Sequence, residues 1–239
     1  MLLFRMIRIP HSILKIKYLI KHQANFDLIF KFILFQLKKP IYNSERSNQK
    51  RLFKKYVANK KITHNFFASN SYDWIRNLKN KSIKNYLEIG AFEGLSILFL
   101  EKNFKPQKIH AVDNWKGGSK EQSKETIFSE VFKNYKFNTI KIKKIKNFKM
   151  KSDTFFKLKN IKYDLIYIDG LHTRSQVNKD LINSLKLTHK ESIIICDDFF
   201  WKFDKNFTQN LPVAAIVPII KKYNLKVITV TNNQIFLKF

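Results

Sequence analysis

The chain is 239 residues long, with a formal net charge of +28 and 44% hydrophobic residues, enough apolar material for one core and an appendage. Its single cysteine, Cys196, excludes an intramolecular disulfide and fits a reducing, cytoplasmic compartment; it stands in an apolar run, as a core thiol would. The basic balance points first to nucleic acid or an anionic membrane, but only six of the 46 basic residues are arginine, the residue whose fork reads phosphates. Abundant Ile, Asn and Phe with scarce Gly and Pro read as AT-rich coding bias, so nucleic acid is not expected as a partner.

Residues 1–50 read as a basic, apolar helical extension. Lysines interrupt its apolar runs, including residues 28–36 (Leu-Ile-Phe-Lys-Phe-Ile-Leu-Phe-Gln), well short of the roughly 18–20 residues of a spanning helix, and no small-residue cleavage site follows them. Two readings fit: a basic amphipathic helix peripheral to the inner face of a membrane, or a helical cover for a sheet or for an interface in a homo-oligomer. Pro40 and the polar stretch 43–50 separate this extension from a second unit, residues 51–239.

Residues 51–80 look helical, with Trp74 and Ile75 on an apolar face. From Ile83 onward the pattern alternates. Strands are expected at 85–89, 108–112, within 139–145, and at 163–168 and 192–196, with helices at about 95–103, 120–135, 153–158 and 174–187. Pro212 suits the first turn of a helix reaching about Tyr223. Strands at 225–230 and 234–239 meet at Thr231-Asn232-Asn233, a hairpin turn. The sum is an α/β fold: a doubly wound, mostly parallel, seven-stranded Rossmann-like sheet with a C-terminal antiparallel hairpin.

The five glycines (Gly90, Gly94, Gly117, Gly118, Gly170) all fall at or just after strand ends, the edge where open α/β sheets bind ligands. Glu88-Ile89-Gly90-Ala91-Phe92-Glu93-Gly94 takes a strand through a sharp turn into a helix. It lacks the Gly-x-Gly-x-x-Gly of a pyrophosphate site, and Glu88 suits a ligand bearing positive charge. Asp113, 19 positions after Gly94, can accept both hydroxyls of a ribose. A nucleoside with a cation and no pyrophosphate describes S-adenosylmethionine.

Glu-Ile-Gly-Ala-Phe-Glu-Gly-Leu-Ser followed by Ala-Val-Asp-Asn-Trp resembles the class I S-adenosylmethionine-dependent methyltransferases, in the branch of macrocin-type sugar O-methyltransferases and relatives of catechol O-methyltransferase. The likeness runs from about Trp74 to Phe239. It implies that Glu88, Gly90 and Gly94 line the amino-acid part of the cofactor with Ser96 beside it. Asp113 would hold the ribose, with Asn114 and Trp115 near, and Ser152 and Asp153 would lie towards adenine.

Asp169, in Ile-Asp-Gly-Leu-His, and the pair Asp197-Asp198 each follow a buried strand, so three carboxylates converge at one edge. A hard divalent cation, Mg²⁺, relieves their repulsion, and metal-dependent members of the resembled family carry acids at these positions. His172 is the expected general base, because imidazole titrates near working pH. Together these features describe an O-methyltransferase with a hydroxylated small-molecule acceptor, a sugar or glycan precursor. A cephalosporin hydroxylase-like oxygenase on the same fold would need two histidines at the carboxylates, and only His172 is near. A non-enzymatic basic protein would leave the glycine and aspartate placement without a reason. Phe199, Phe200 and Trp201 are read either as walls of an acceptor pocket or as core.

Overall fold

The computed structural model describes residues 11–117, 128–158, 161–201 and 211–238. Short apolar runs, rich in β-branched and aromatic residues, become seven strands: β1 (Asn85–Ile89), β2 (Lys108–Asp113), β3 (Ile145–Lys149), β4 (Tyr163–Ile168), β5 (Thr188–Cys196), β6 (Lys226–Val230) and β7 (Ile235–Lys238). They form one sheet in the order β3-β2-β1-β4-β5-β7-β6, parallel except for β7, which runs antiparallel to both its neighbours. The short Thr231–Gln234 turn makes the reversal, closed by the Thr231 N–H donating to the Gln234 carbonyl at 2.8 Å.

Both faces of the sheet are covered, which is why its central strands carry no polar alternation. One face packs Leu87, Ile89, Val112, Ile166, Ile168 and Ile194 against α1 (His11–Lys21), α2 (Phe26–Lys38), α7 (Ser152–Leu158), α8 (Arg174–Leu185) and α9 (Pro212–Lys222). The other packs Tyr86, Ile109, Ala111, Leu165, Tyr167 and Ile195 against α3 (Asn43–Tyr56), α4 (Ser71–Leu78), α5 (Leu95–Phe104) and α6 (Phe128–Thr139). Pro212 takes the first helical position of α9, as expected.

Three expectations are corrected. The polar stretch 43–50 is no break in the chain: it is the first half of α3, a solvated helix that buries only Phe53. Residues 51–80 are not one helical region, since α3 ends at Tyr56 and α4 starts at Ser71. The third strand lies at 145–149, beyond the expected 139–145, because this edge strand, Ile-Lys-Asn-Phe-Lys, buries only Phe148 and leaves its register unmarked in the sequence. Of the helix expected at 120–135, residues 120–127 lie outside the described residues, as do Gly118 and Phe239.

The extension covers the sheet. Leu19, Leu28 and Phe32 are buried in the first of the two cores, and Lys31 Nζ donates to the Val227 carbonyl of β6 at 2.6 Å. Asn25 caps α2 by accepting from the Leu28 N–H at 3.0 Å.

Candidate active site

Strand register alone lines up the acidic loops. Ile89 pairs with Val112 and with Ile168, and Ile168 pairs with Cys196, so Asp113, Gly90, Asp169 and Asp197 are the next residues of four adjacent parallel strands. Each step is pinned by a backbone bond: Gly90 N–H to Val112 O at 2.8 Å, Asp169 N–H to Ile89 O at 2.8 Å, and Asp197 N–H to Ile168 O at 2.9 Å. The two clusters, far apart in sequence, therefore share one rim at the carboxyl ends of the strands. Gly90 (φ +91°) is essential to this closeness, because a Cβ there would lie 2.0 Å from the Asp169 carbonyl oxygen.

Six described non-glycine residues have positive φ. Gln23, Lys105 and Asn224 follow helix ends, where a left-handed residue is ordinary. The other three, Phe92, Trp115 and Asp198, sit on the rim loops, where such strain collects at functional sites. Two of them serve Asp113: the Phe92 N–H donates to Oδ2 at 2.9 Å and the Trp115 N–H to Oδ1 at 2.7 Å. Trp115 is buried against Phe132 and Tyr135 and donates Nε1–H to the Phe92 carbonyl at 2.9 Å, tying the first loop to the second. Asn114 accepts from the Lys116 N–H at 2.7 Å and so shapes the turn that follows. Gly94 (φ +80°) is the N-cap of α5. The preceding Glu93 is held under the loop by the Thr63 N–H (2.9 Å) and Asn134 Nδ2 (2.8 Å), anchors that the sequence did not signal.

Glu88 is buried. Its carboxyl accepts from the Tyr86 hydroxyl at 2.9 Å and from the Ser96 hydroxyl. Burial pushes it up to about 8, against the pull of those two bonds, and the charges of Asp169 and Asp113 push the same way. A carboxyl raised in this manner binds its proton more tightly folded than unfolded. Its stabilisation is complete below the ordinary value of 4.5 and is lost as pH rises through about 8. Burial raises Asp113 and Asp180 too, which adds to the same slope. Glu88→Gln, which keeps the protonated shape, is expected to remove a few kcal/mol of the fall in stability across this window. Urea midpoints at both ends of the window check it; an unaltered slope would mean that Glu88 is already ionised in the fold.

In the second cluster, the side-chain donors of Asp169, His172 and Asp198 lie within 4.8 Å of one another. His172 Nε2 is 3.3 Å from Asp169 Oδ1 and 3.4 Å from Asp198 Oδ2. Burial pulls the imidazole down, but the two carboxylates outweigh it and carry it up to about 9. Asp198 is raised to about 6, by burial first and by Asp169, with His172 opposing.

The grouping differs from the expected Asp169–Asp197–Asp198 set. Asp197 turns inward, accepting from the Tyr167 hydroxyl and from Asn70 Nδ2 at 3.3 Å, while its Oδ1 takes the Asp198 N–H at 2.8 Å. Burial and the neighbouring Asp169 and Asp198 hold it well above the usual carboxylate range. His172 stands in the place expected of Asp197. Tyr167 also donates to Asp169 Oδ2 at 3.1 Å and is backed by Trp74, edge-on at 5.0 Å. Neither Tyr167 nor Asn70 was a candidate in the sequence; Asn70 is 127 positions from Asp197, a separation with no local signal.

Of the aromatic run after Asp198, Phe199 and Phe200 are core, whereas Trp201 stays beside His172 with ring centroids 5.3 Å apart. Ser152 starts α7 and accepts from Gln176 Nε2 of α8 at 3.1 Å; the same amide reaches Asp153 and Asp180, each at 3.0 Å. Cys196 is buried and its thiol is raised by that burial, as for a core residue. His110 lies against the Tyr163 hydroxyl at 2.6 Å and His189 against Asp164 at 3.0 Å, both away from the rim.

The strand order, the antiparallel seventh strand and the glycine loop facing an acid at the end of β2 are those of the class I fold. Residues 87–199 match a family described as a methyltransferase domain. Solved structures share the fold at low identity. An O-methyltransferase from Bacillus cereus in complex with SAH is 13% identical, with a TM-score of 0.55 over 87% of this chain and 97% of that one. A putative caffeoyl-CoA O-methyltransferase from Staphylococcus aureus is 16% identical, with a TM-score of 0.53 over 95% and 100%. MycE from the mycinamycin biosynthetic pathway, in complex with Mg, SAH and mycinamycin VI, is 13% identical, with a TM-score of 0.51 over 80% of this chain and 54% of that one. No curated protein matches the chain in sequence.

Proposed function

We propose that the protein methylates a hydroxyl oxygen of a small molecule, a sugar or glycan precursor, using a divalent cation at the second cluster. The observation that carries this reading is the shared rim: Asp113 and Gly90 on one side, Asp169 and the Asp197–Asp198 pair on the other, in consecutive strand positions.

The residues fit S-adenosylmethionine. Each Asp113 oxygen is met by a backbone N–H, and a carboxylate oxygen has a second lone pair to take a ribose hydroxyl. Glu88, Gly90, Gly94 and Ser96 would hold the amino-acid part, with Asn114 and Trp115 shaping the loop by the ribose and Ser152 towards adenine. When bound, the cofactor supplies a methyl group already activated on a sulfonium, so the protein's work is placement and deprotonation.

The donor set fits a divalent cation as well. Asp169 and Asp198 offer the hard oxygens that suit Mg²⁺, and Asp197 is a third carboxyl within the same charge network. A cation there would lower the pKa of an acceptor hydroxyl. Without a cation the two carboxylates raise the imidazole of His172 and favour its protonated form; a cation meeting their charge would let His172 be neutral. His172, with Trp201 beside it, would then be the group placed to take the proton of the acceptor hydroxyl. Catechol-type members of the resembled family carry Asp-Asn at this pair; Asp197-Asp198 is nearer the sugar-modifying kind, which supports the acceptor class. MycE, a neighbour holding Mg and SAH together, supports the pairing of metal with cofactor.

Calorimetry with S-adenosylhomocysteine tests the reading. The chain should bind it, and Asp113→Ala should weaken binding by about tenfold to a hundredfold, the worth of a charge-assisted hydrogen bond. No heat from the unaltered protein would remove the cofactor and the enzyme assignment with it.

A further inference from the structure

Helix α2 has two apolar faces. One is spent on the core: Leu28 and Phe32 are buried, and the Phe32 ring lies 5.1 Å from that of Phe200. The other faces outward. Phe26 is 81% exposed, Phe30 50% and Leu37 69%, with Ile33 also exposed. Their spacing of four, three and four residues makes one continuous stripe along the helix. Phe26 and Phe30 stack on each other, with centroids 6.0 Å apart. Ile41, beyond the end of α2, and Ile20 on α1 are exposed apolar side chains as well, at 69% and 60%. A helix that merely roofs a sheet turns a polar face to water; this one does not.

The charges beside the stripe say what would cover it. Residues 11–41 contain six lysines and one aspartate, and the aspartate, Asp27, is paired with Lys31 at 2.7 Å. Lys17 and Lys21 are exposed on α1, and Lys38 and Lys39 are exposed at the end of α2. Residues 1–10, outside the described residues, continue the same mixture in sequence, with Arg5 and Arg8 among apolar side chains. A second copy of this chain is a poor occupant, because a two-fold pairing would set these lysines against their own equivalents on two molecules of net charge +28. No helix among the described residues is long and apolar enough to cross a membrane.

We propose that the outer face of α1 and α2 is a membrane-docking surface that lies flat on an anionic bilayer. Phe26, Phe30, Ile33 and Leu37 enter the acyl boundary, and Lys17, Lys21, Lys38 and Lys39 meet the lipid phosphates, their stems covering apolar surface. This surface is separate from the reaction edge and does not depend on the identity of the methyl acceptor.

Flotation of the full chain with phosphatidylglycerol-containing vesicles tests it, with pure phosphatidylcholine vesicles as the comparison. The chain should float with the anionic vesicles, stay behind with the neutral ones, and be released by high salt. The triple variant Phe26→Ser, Phe30→Ser, Leu37→Ser should lose about tenfold or more in partitioning. Its thermal midpoint should be unchanged, because the three side chains are exposed. Failure of the unaltered protein to float, or equal flotation of a folded triple variant, would overturn the proposal. So would sedimentation showing a dimer of the unaltered chain that the triple variant dissolves, since the stripe would then belong to self-association.

Discussion

Gly90→Ala is expected to unfold the rim or to leave it unable to bind cofactor. The added Cβ would stand 2.0 Å from the Asp169 carbonyl oxygen and 2.5 Å from its carbonyl carbon. Both are backbone atoms of an adjacent strand end, so no side-chain rotation relieves them. The ladder bonds Gly90 N–H to Val112 O and Asp169 N–H to Ile89 O must then lengthen. The left-handed φ adds about 1–2 kcal/mol for any residue with a side chain, and forced overpacking typically about 1–3 kcal/mol more. A loss of roughly 2–5 kcal/mol is a large share of a domain's stability. Urea unfolding reads this directly. A variant with the parental midpoint and parental S-adenosylhomocysteine affinity would show that β1 and β4 do not approach as described. Gly94→Ala should be milder, because its Cβ would meet the Thr139 methyl group at 2.9 Å and a side chain can give way.

The second large effect falls on chemistry. Asp169→Ala should lower methyl transfer by about a thousandfold while leaving the protein folded, the several kcal/mol that a metal ligand and its charge supply. Asp169 touches both proposed devices: its Oδ1 faces His172 and its Oδ2 accepts from Tyr167. Loss of the side chain removes a cation ligand and the partner that orients the base together. Chelation of divalent ions should abolish turnover of the parent protein but spare S-adenosylhomocysteine binding, which we propose rests on the first loop. Turnover indifferent to chelator, together with a mild Asp169→Ala, would leave His172 acting without a metal. Single-turnover rates with a hydroxylated acceptor separate these outcomes.

The first loop was legible because its requirements are local. Gly90 and Gly94 mark a turn and a helix start within five residues, and Asp113 is found by counting to the end of the next strand. Strand β4 and the second half of β5 were legible as apolar runs, and the convergence of their terminal aspartates followed from parallel pairing alone; β5 begins at Thr188 rather than the expected 192, because its first half is the exposed polar stretch His189–Glu191. What escaped was set by tertiary contact. Asp197 and Asp198 are chain neighbours, but the left-handed φ of Asp198 points one carboxylate out to His172 and the other in to Tyr167. No pattern of residue types announces which aspartate does which. The partners that decide it, Tyr167 and Asn70, come from another strand and from the loop before α4. Helix α3 was missed for the opposite reason: Asn-Ser-Glu-Arg-Ser-Asn-Gln-Lys composes a linker as readily as a solvated helix, and Phe53 alone anchors it in the core.

The contact between Phe32 and Phe200 couples the N-terminal extension mechanically to the loop after β5. Phe200 lies two residues beyond Asp198, with Lys15 Nζ poised 5.2 Å over its ring, and the neighbouring β6–β7 turn is gripped by Lys15 and Gln36 through Asn232. A protein shortened to begin after α2 would lose a strut as well as a surface, and slackness beside the carboxylates would masquerade as a chemical defect. Anything resting against the outside of α2 sits only one helix diameter, about 10–12 Å, from that strut.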